Sequence, residues 1–364
     1  MYNSFVFSAD EHLKKQTWAS LPQIRGDAYY AFQQRVEVCL DRHIPLVLGG
    51  DMFDNKTPSS FDVTFLSQTL EQMFAAGLPV YAIQGQHDQQ DPPWTTTATL
   101  QKVMYVNRKV FTPVSGLVCF GLDAMKVREA AASVAEIPPE CNCVLMHQLC
   151  KQVFDKDGCW DFDAATLPPQ IRLALVGDYH LETDMDISRE DAPALKLVYP
   201  GSAHVCSIAE AWDKHVTVVH SDSGKIQVER IPLLRRRYVK YVVRDAAELD
   251  QTIDTLRHTN FDHGAILKPA IVYVQFPAGL PDAENRLRDA VGDRAVIWPE
   301  VYGSVAALES REEEPPQRGV RLEECLARFV LPGSDIFEFT RDILQTMAPS
   351  QVFDLWRKKI GLLQ

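Results

Sequence analysis

Five times in the first 180 residues, a short apolar run stops and delivers an aspartate or a histidine just beyond its end. Phe5-Val6-Phe7 leads to Asp10 and His12, and Leu46-Val47-Leu48-Gly49-Gly50 leads to Asp51. Val80 to Ile83 runs into Gly85-Gln86-His87-Asp88, Cys143 to Met146 into His147, and Leu173 to Val176 into Gly177-Asp178-Tyr179-His180. Short apolar runs that stop at glycine or polar residues read as buried strands. Metal-capable side chains at five strand ends suggest one shared metal centre, so the fold must gather those ends.

Between the runs, Tyr29, Phe32, Val36, Cys39 and Leu40 recur at helical spacing and predict an amphipathic helix over 28–43. A second helix is predicted over 63–75, ahead of Gly77. Strand, helix and strand with short connections imply a parallel α/β layer, in which ligands gather at the carboxyl ends of the strands. From residue 109 the pattern changes. Runs 109–112, 117–123 and 141–146 predict a second sheet packed on the first, and 215–220 and 225–231 read as further strands. The expected class is α/β, a two-sheet β-sandwich flanked by helices over residues 1–233.

Past 233 the alternation restarts. Strand 238–243, helix 246–257, strand 270–275, helix 282–291 and a strand near 295–298 predict a small α/β capping domain over 234–310. Arg311-Glu312-Glu313-Glu314-Pro315-Pro316 marks a linker, 311–320. Residues 321–364 read as a helical segment whose Phe329, Phe337, Phe353 and Trp356 need cover, from the small domain or from a partner.

A formal net charge of -12 argues against a uniformly basic nucleic-acid binder, so metals, local basic patches or a partner would have to attract DNA. Arg235, Arg236 and Arg237 read as a solvated linker or as phosphate contacts, and Pro200-Gly201-Ser202 as a plain turn or a phosphate-binding one. The eight cysteines are dispersed, which favours reduced thiols. Cys141, Cys143, Cys150 and Cys159, with His147 among them, lack a Cys-x-x-Cys knuckle, so the cysteines read as buried thiols rather than a zinc site. With no apolar run near the roughly 20 residues of a membrane span and no signal-peptide start, the expected setting is cytoplasmic, or a host cytoplasm for a viral protein, with no membrane association.

Taken singly, each strand-end group has a plainer reading; Asp10, for one, could cap the next helix. Collected, Asp10, His12, Asp51, Gln86, His87, His147, Asp178 and His180 are carboxylates, imidazoles and an amide without a thiolate. Such donors suit Mn²⁺, Fe²⁺, Mg²⁺ or Zn²⁺. They exceed what one ion needs and suit two ions roughly 3.5–4 Å apart, an arrangement fitted to in-line displacement at phosphorus.

The order Asp-x-His, Gly-Asp-x-x-Asp, Gly-Gln-His-Asp, an isolated His and Gly-Asp-x-His, over residues 4 to 222, resembles the calcineurin-like metallophosphoesterases. Gly-Asp-Met-Phe-Asp, Tyr-Pro-Gly-Ser, the small domain and the helical tail resemble the DNA-repair nucleases typified by bacterial SbcD. The resemblance implies that Asp10, His12 and His180 hold one ion, Asp51 bridges, and Gln86, His147 and Asp178 hold the second. It implies Mn²⁺, with Mg²⁺ as the alternative, and gives His87 the transition state or leaving oxygen and Asp88 the orienting of His87. It further implies a metal-dependent nuclease acting on DNA ends and hairpins, a homodimer in a heterotetramer with an SbcC-like ABC-type ATPase docked through the C-terminal helices. Two positions depart from the family pattern: Gln86 replaces Asn, and Asp178 replaces the first His of Gly-His-x-His. The expectation is an active site with a weaker second ion. The alternatives are a phosphoesterase for phosphoprotein or small esters, and a non-catalytic scaffold that binds DNA ends.

Overall fold

The computed structural model describes residues 2–303 apart from 15, 19, 154–159, 191, 208–209, 211, 223–224 and 262–266. The linker 311–320, the helical segment 321–364 and Cys159 therefore lie outside the described residues. In chain order the first elements are β1 (Ser4–Ser8), a hairpin of β2 (Gln16–Trp18) and β3 (Leu21–Arg25), α1 (Asp27–Arg42), β4 (Leu46–Gly49), α2 (Ser60–Ala75), β5 (Val80–Ile83) and β6 (Met104–Tyr105). Then come β7 (Val110–Val114), β8 (Leu117–Leu122), α3 (Val127–Ala135), β9 (Cys143–His147), β10 (Leu173–Gly177), β11 (Thr183–Arg189), β12 (Ala192–Tyr199), β13 (His215–Asp222) and β14 (Lys225–Pro232). The last are β15 (Tyr238–Val242), α4 (Ala246–His258), β16 (Ala270–Pro277), α5 (Ala283–Val291) and β17 (Ala295–Tyr302).

Two six-stranded sheets form the core, in the orders β14-β13-β1-β4-β5-β6 and β11-β12-β10-β9-β8-β7. Alternation along each strand sends one set of side chains between the sheets and the other set outward. Phe5, Phe7, Val47 and Ile83 meet Cys143, Leu145, Leu173 and Leu175 between the sheets. On the outer face, Val6, Leu46, Leu48, Val80 and Ala82 are covered by Phe32, Val36, Leu66 and Leu70 of α1 and α2. Both faces are buried, which is why these strands read as unbroken apolar runs. Cys141 and Cys150 lie in the core on the far side of the second sheet, and Cys143 lies between the sheets.

The neighbours β1, β4, β5 and β6 run parallel, as do β8, β9, β10 and β12. The first sheet is nevertheless mixed, because β13 enters it antiparallel beside β1, pairing Phe5 with Val219. The small unit is a parallel β15-β16-β17 sheet whose one face is covered by α4 and α5. Its other face meets the β2–β3 hairpin, where Ile24 packs with Ile271 and Val296.

At the join, Arg236 is 1% exposed and donates from Nε and Nη2 to the two carboxylate oxygens of Asp27, at 2.9 and 2.8 Å. It also donates to the carbonyls of Pro269 and Arg25. A guanidinium so committed cannot reach a phosphate, which corrects the expectation of DNA contact at Arg236. Its neighbours are also engaged, Arg235 with Asp213 and Arg237 with the Asn260 carbonyl.

Candidate metal centre

Loops leaving β1, β4 and β5 of one sheet and β9 and β10 of the other meet at one rim of the sandwich. Pairing continues past the strand ends: Asp10 N–H donates to Gly50 O at 3.1 Å, His12 N–H to Asp51 O at 3.0 Å and Leu13 N–H to Met52 O at 2.9 Å. This extension sets Asp10 and His12 beside Asp51. Glu11, between them, turns the other way to a buried ion pair with Arg35 of α1.

Asp10, His12, Asp51 and Asp178 have φ of 55°, 42°, 51° and 86°. Left-handed backbone costs a non-glycine residue on the order of 1 kcal/mol or more, and such strain concentrates at functional sites. Gly50, at φ 96°, and Gly177 make room for His147, because a Cβ on either would lie within 2.5 Å of His147 Nδ1. That nitrogen donates across the sandwich to Gly49 O at 2.6 Å.

His147 is therefore held with Nε2 facing the acids, 3.3 Å from Asp51 Oδ2, 3.7 Å from Asp10 Oδ1 and 3.9 Å from Asp178 Oδ1. Opposite, His12 Nε2 lies 3.2 Å from His180 Nε2 and 3.9 Å from Asp51 Oδ2, and His180 Nε2 lies 3.8 Å from Asp10 Oδ1. Ligands about 2.1 Å from one ion stand roughly 3.0–3.4 Å apart in octahedral or tetrahedral shells. The observed 3.2–3.9 Å separations are those of such shells slightly opened. His147 Nε2 is buried and makes no well-formed hydrogen bond, facing the acids at 3.3–3.9 Å, where a divalent ion could take the place of its proton. The donor set fits a divalent ion.

Electrostatics point the same way. Burial pushes the Asp10 carboxyl up to about 6, with His147 and His180 only partly offsetting it. Burial also drives His12 down to about 4, so its imidazole is neutral. Burial would depress His147 and raise Asp51, but their mutual attraction outweighs it, placing His147 at about 10 and Asp51 at about 2. Burial likewise opposes a charge on His180, yet hydrogen bonds to Cys206 and Glu210 carry it to about 11. Protons thus balance the acids where a divalent ion could.

The geometry gives each sequence-derived residue its place. Asp51 Oδ2 lies between His12 and His147, as a bridging carboxylate would. Asp10 Oδ1 is nearly equidistant from His147 and His180, a second candidate for that role. The two departures from the family pattern meet each other, Gln86 Nε2 donating to Asp178 Oδ1. His87 is exposed; its Nδ1 lies 3.2 Å from Asp54 O and its ring centroid 5.0 Å from that of His12. Asp88 needs a correction. Its carboxylate accepts N–H bonds from Gly85 at 2.8 Å and Met52 at 2.7 Å, so it ties the loop carrying Gln86 to the one carrying Asp51 instead of orienting the His87 ring.

Ser202 also differs from expectation. It is fully buried, with its hydroxyl 3.0 Å from Glu210 Oε2 and 2.7 Å from Lys214 Nζ, so it is not a DNA contact. Sequence reasoning passed over Glu210, Lys214 and Cys206, which surround His180 from a segment with no motif of its own. Only the placement of two charged residues four apart, close after Ser202, could have drawn attention to them.

No family model matches the chain. Over 200 residues, 52% of the chain and 52% of the relative, it is 22% identical to the DNA double-strand break repair protein Mre11 of Saccharolobus solfataricus. It is 25% identical to the protein of the same name from Methanosarcina acetivorans over 249 residues, 64% of the chain and 39% of the relative. Identity to the uncharacterized metallophosphoesterase YhaO of Bacillus subtilis is 27% over 250 residues, 62% of the chain and 59% of the relative. The chain spans about half the length of these relatives, between 39% and 59%. In its motif order, its two-sheet core and the acids and imidazoles gathered at the rim, the chain is similar to these relatives, and together these likenesses support the calcineurin-like metallophosphoesterase superfamily.

Proposed function

We propose that this chain is a metal-dependent phosphodiesterase that cuts DNA at ends and hairpins, as the nuclease subunit of a complex with an SbcC-like ATPase. The observation that carries the reading is the convergence of Asp10, Asp51 and His147 with His12 and His180, around a buried His147 Nε2 that faces three carboxylates. Asp10, His12, Asp51 and His180 would hold one divalent ion, and Asp51, Gln86, His147 and Asp178 the other, with Mn²⁺ favoured over Mg²⁺. Such ions, when bound, supply Lewis acidity toward phosphoryl oxygens and a nucleophile at neutral pH.

The chain's own groups do the positioning. Asp51 Oδ1 accepts His87 N–H at 2.8 Å, and the Asp178 N–H lies 3.1 Å from Asp10 Oδ2, so both central carboxylates are held by backbone. His87 Nδ1 is taken by the Asp54 carbonyl, which leaves Nε2 to carry a proton to the departing oxygen. Gln86 serves as a ligand once its amide turns to present Oε1 in place of Nε2, a rotation about its last torsion. Asp178 makes the second half-site harder and more negative than an imidazole would.

The names of the Mre11 relatives support DNA as substrate. Burial of Ser202 and Arg236 removes two of the four expected DNA contacts, which favours small phosphoesters as the second reading. The test is Mn²⁺-dependent cleavage of labelled duplex, single-stranded and hairpin DNA beside a chromogenic phosphodiester, with and without the ATPase. Turnover of the small ester without DNA cleavage would select the second reading. For the partner, deleting residues 318–364 is expected to abolish co-purification with the ATPase and to spare manganese-dependent cleavage; retained co-purification would refute docking through that segment.

A further inference from the structure

Behind His180 lies a buried polar cluster that the ligand set does not use. Glu210 Oε1 is 2.8 Å from His180 Nδ1. The other oxygen, Oε2, accepts from Lys214 Nζ at 2.9 Å and Cys206 N–H at 3.1 Å, and lies 3.0 Å from Ser202 Oγ. Lys214 Nζ also reaches Ser202 Oγ at 2.7 Å and His180 O at 3.4 Å. The Glu210 and Lys214 side chains are 8% and 2% exposed. Removing both charges from water costs several kcal/mol per ion, which is recovered only if each is fully paired. The contacts to Glu210 Oε2 from Lys214, Cys206 N–H and Ser202 fix its other oxygen at His180 Nδ1.

We propose that Glu210 is a positioning residue for His180, held in place by Lys214 and Ser202. By accepting the Nδ1–H it selects the tautomer whose Nε2 lone pair faces Asp10 and His12, at 3.8 and 3.2 Å. A carboxylate behind a ligating imidazole also makes its free nitrogen a stronger donor. A rival reading treats His180, Cys206 and Glu210 as a cation site in their own right, since their donor atoms lie within 4.8 Å of one another. The Lys214 ammonium already supplies the positive charge such an ion would bring, which favours the positioning role. The inference rests on the proposal that His180 holds an ion.

The full-length protein is titrated with Mn²⁺ by calorimetry as wild type, Glu210→Ala and Glu210→Gln, each checked for folding by circular dichroism. Glu210→Ala should weaken the ion of Asp10, His12 and His180 by 10- to 100-fold and leave the ion of His147 and Asp178 within about twofold. Glu210→Gln, which keeps an acceptor without the charge, should fall between and carries the test if the alanine variant does not fold. In Mg²⁺-loaded wild type, nitrogen NMR should place the His180 proton on Nδ1. Variants that bind both ions as wild type does, or a proton on Nε2, would overturn the positioning role alone. A wild type that binds no Mn²⁺ would overturn the proposed metal centre and this inference with it.

Discussion

Replacing Asp51 by Asn isolates the charge at the centre of the site. Asp51 is 1% exposed; Oδ1 accepts His87 N–H at 2.8 Å, while Oδ2 lies 3.3 Å from His147 Nε2 and 3.9 Å from His12 Nε2. Asn keeps the volume and, through its amide oxygen, the bond from His87. What leaves is an anion, because despite burial His147 holds the carboxyl near 2. An interaction with a charged group contributes about 1.5–3 kcal/mol net, and 1.4 kcal/mol is tenfold, so each ion should bind roughly 10- to 150-fold more weakly. Both binding steps should weaken, since one oxygen faces both half-sites. Gln86→Ala or Asp178→Ala should weaken one step only. Calorimetric titration of full-length protein with Mn²⁺ resolves the steps, with a thermal melt to confirm folding. If Asp51→Asn weakens a single step, the bridging assignment is wrong and Asp10 becomes the shared carboxylate.

His87→Ala should lower cleavage by roughly 10²- to 10⁴-fold, the usual weight of a proton-transferring side chain, without changing Mn²⁺ affinity; equal cleavage by mutant and wild type would remove His87 from the chemistry. Without metal, stability should depend on pH through His147 and His180, raised from 6.5 to about 10 and about 11. A histidine whose folded value is raised contributes stability that is complete below 6.5 and lost as pH climbs through the folded value. Melting temperature in a chelator should therefore fall between pH 6.5 and about 11, and Mn²⁺, which replaces those protons, should flatten the profile; identical profiles with and without Mn²⁺ would contradict the linkage. Arg236→Met leaves Asp27 buried without its partner and should cost about 3–5 kcal/mol in a denaturant titration; a loss under 1 kcal/mol would mean water replaces the guanidinium. Gly177→Ala puts a Cβ 2.4 Å from His147 Nδ1 and should abolish binding of the second ion while a charge-neutral surface control does not.

What could be read directly from the residues was whatever depends on near neighbours in the chain. Apolar runs ending in Asp10, Asp51, His87, His147 and Asp178 marked strands and their ends, since burial on both faces writes itself as continuous hydrophobicity. Periodicity marked α1 and α2, and the restart after residue 233 marked β15 to β17 with their two helices. The hairpin β2–β3 and the edge strand β11 were missed: β2 and β3 are short and carry neither an apolar run nor a clean alternation, while β11 alternates but places only Met185 and Ile187 among its polar residues, without an apolar run.

Only the tertiary structure decided which way side chains point and what they find there. Asp10 and His12 face the site while Glu11, between them, faces Arg35; residue type cannot distinguish the three, and packing against α1 does. Arg236 looked like a phosphate ligand until Asp27, 209 positions earlier, took its guanidinium. Glu210 and Lys214 carry no motif, and gain a role because β13, entering beside β1, brings the segment before it against His180. The donor chemistry of a candidate ligand is local and survives in the sequence, whereas burial and partnership are made by contacts between residues far apart in the chain.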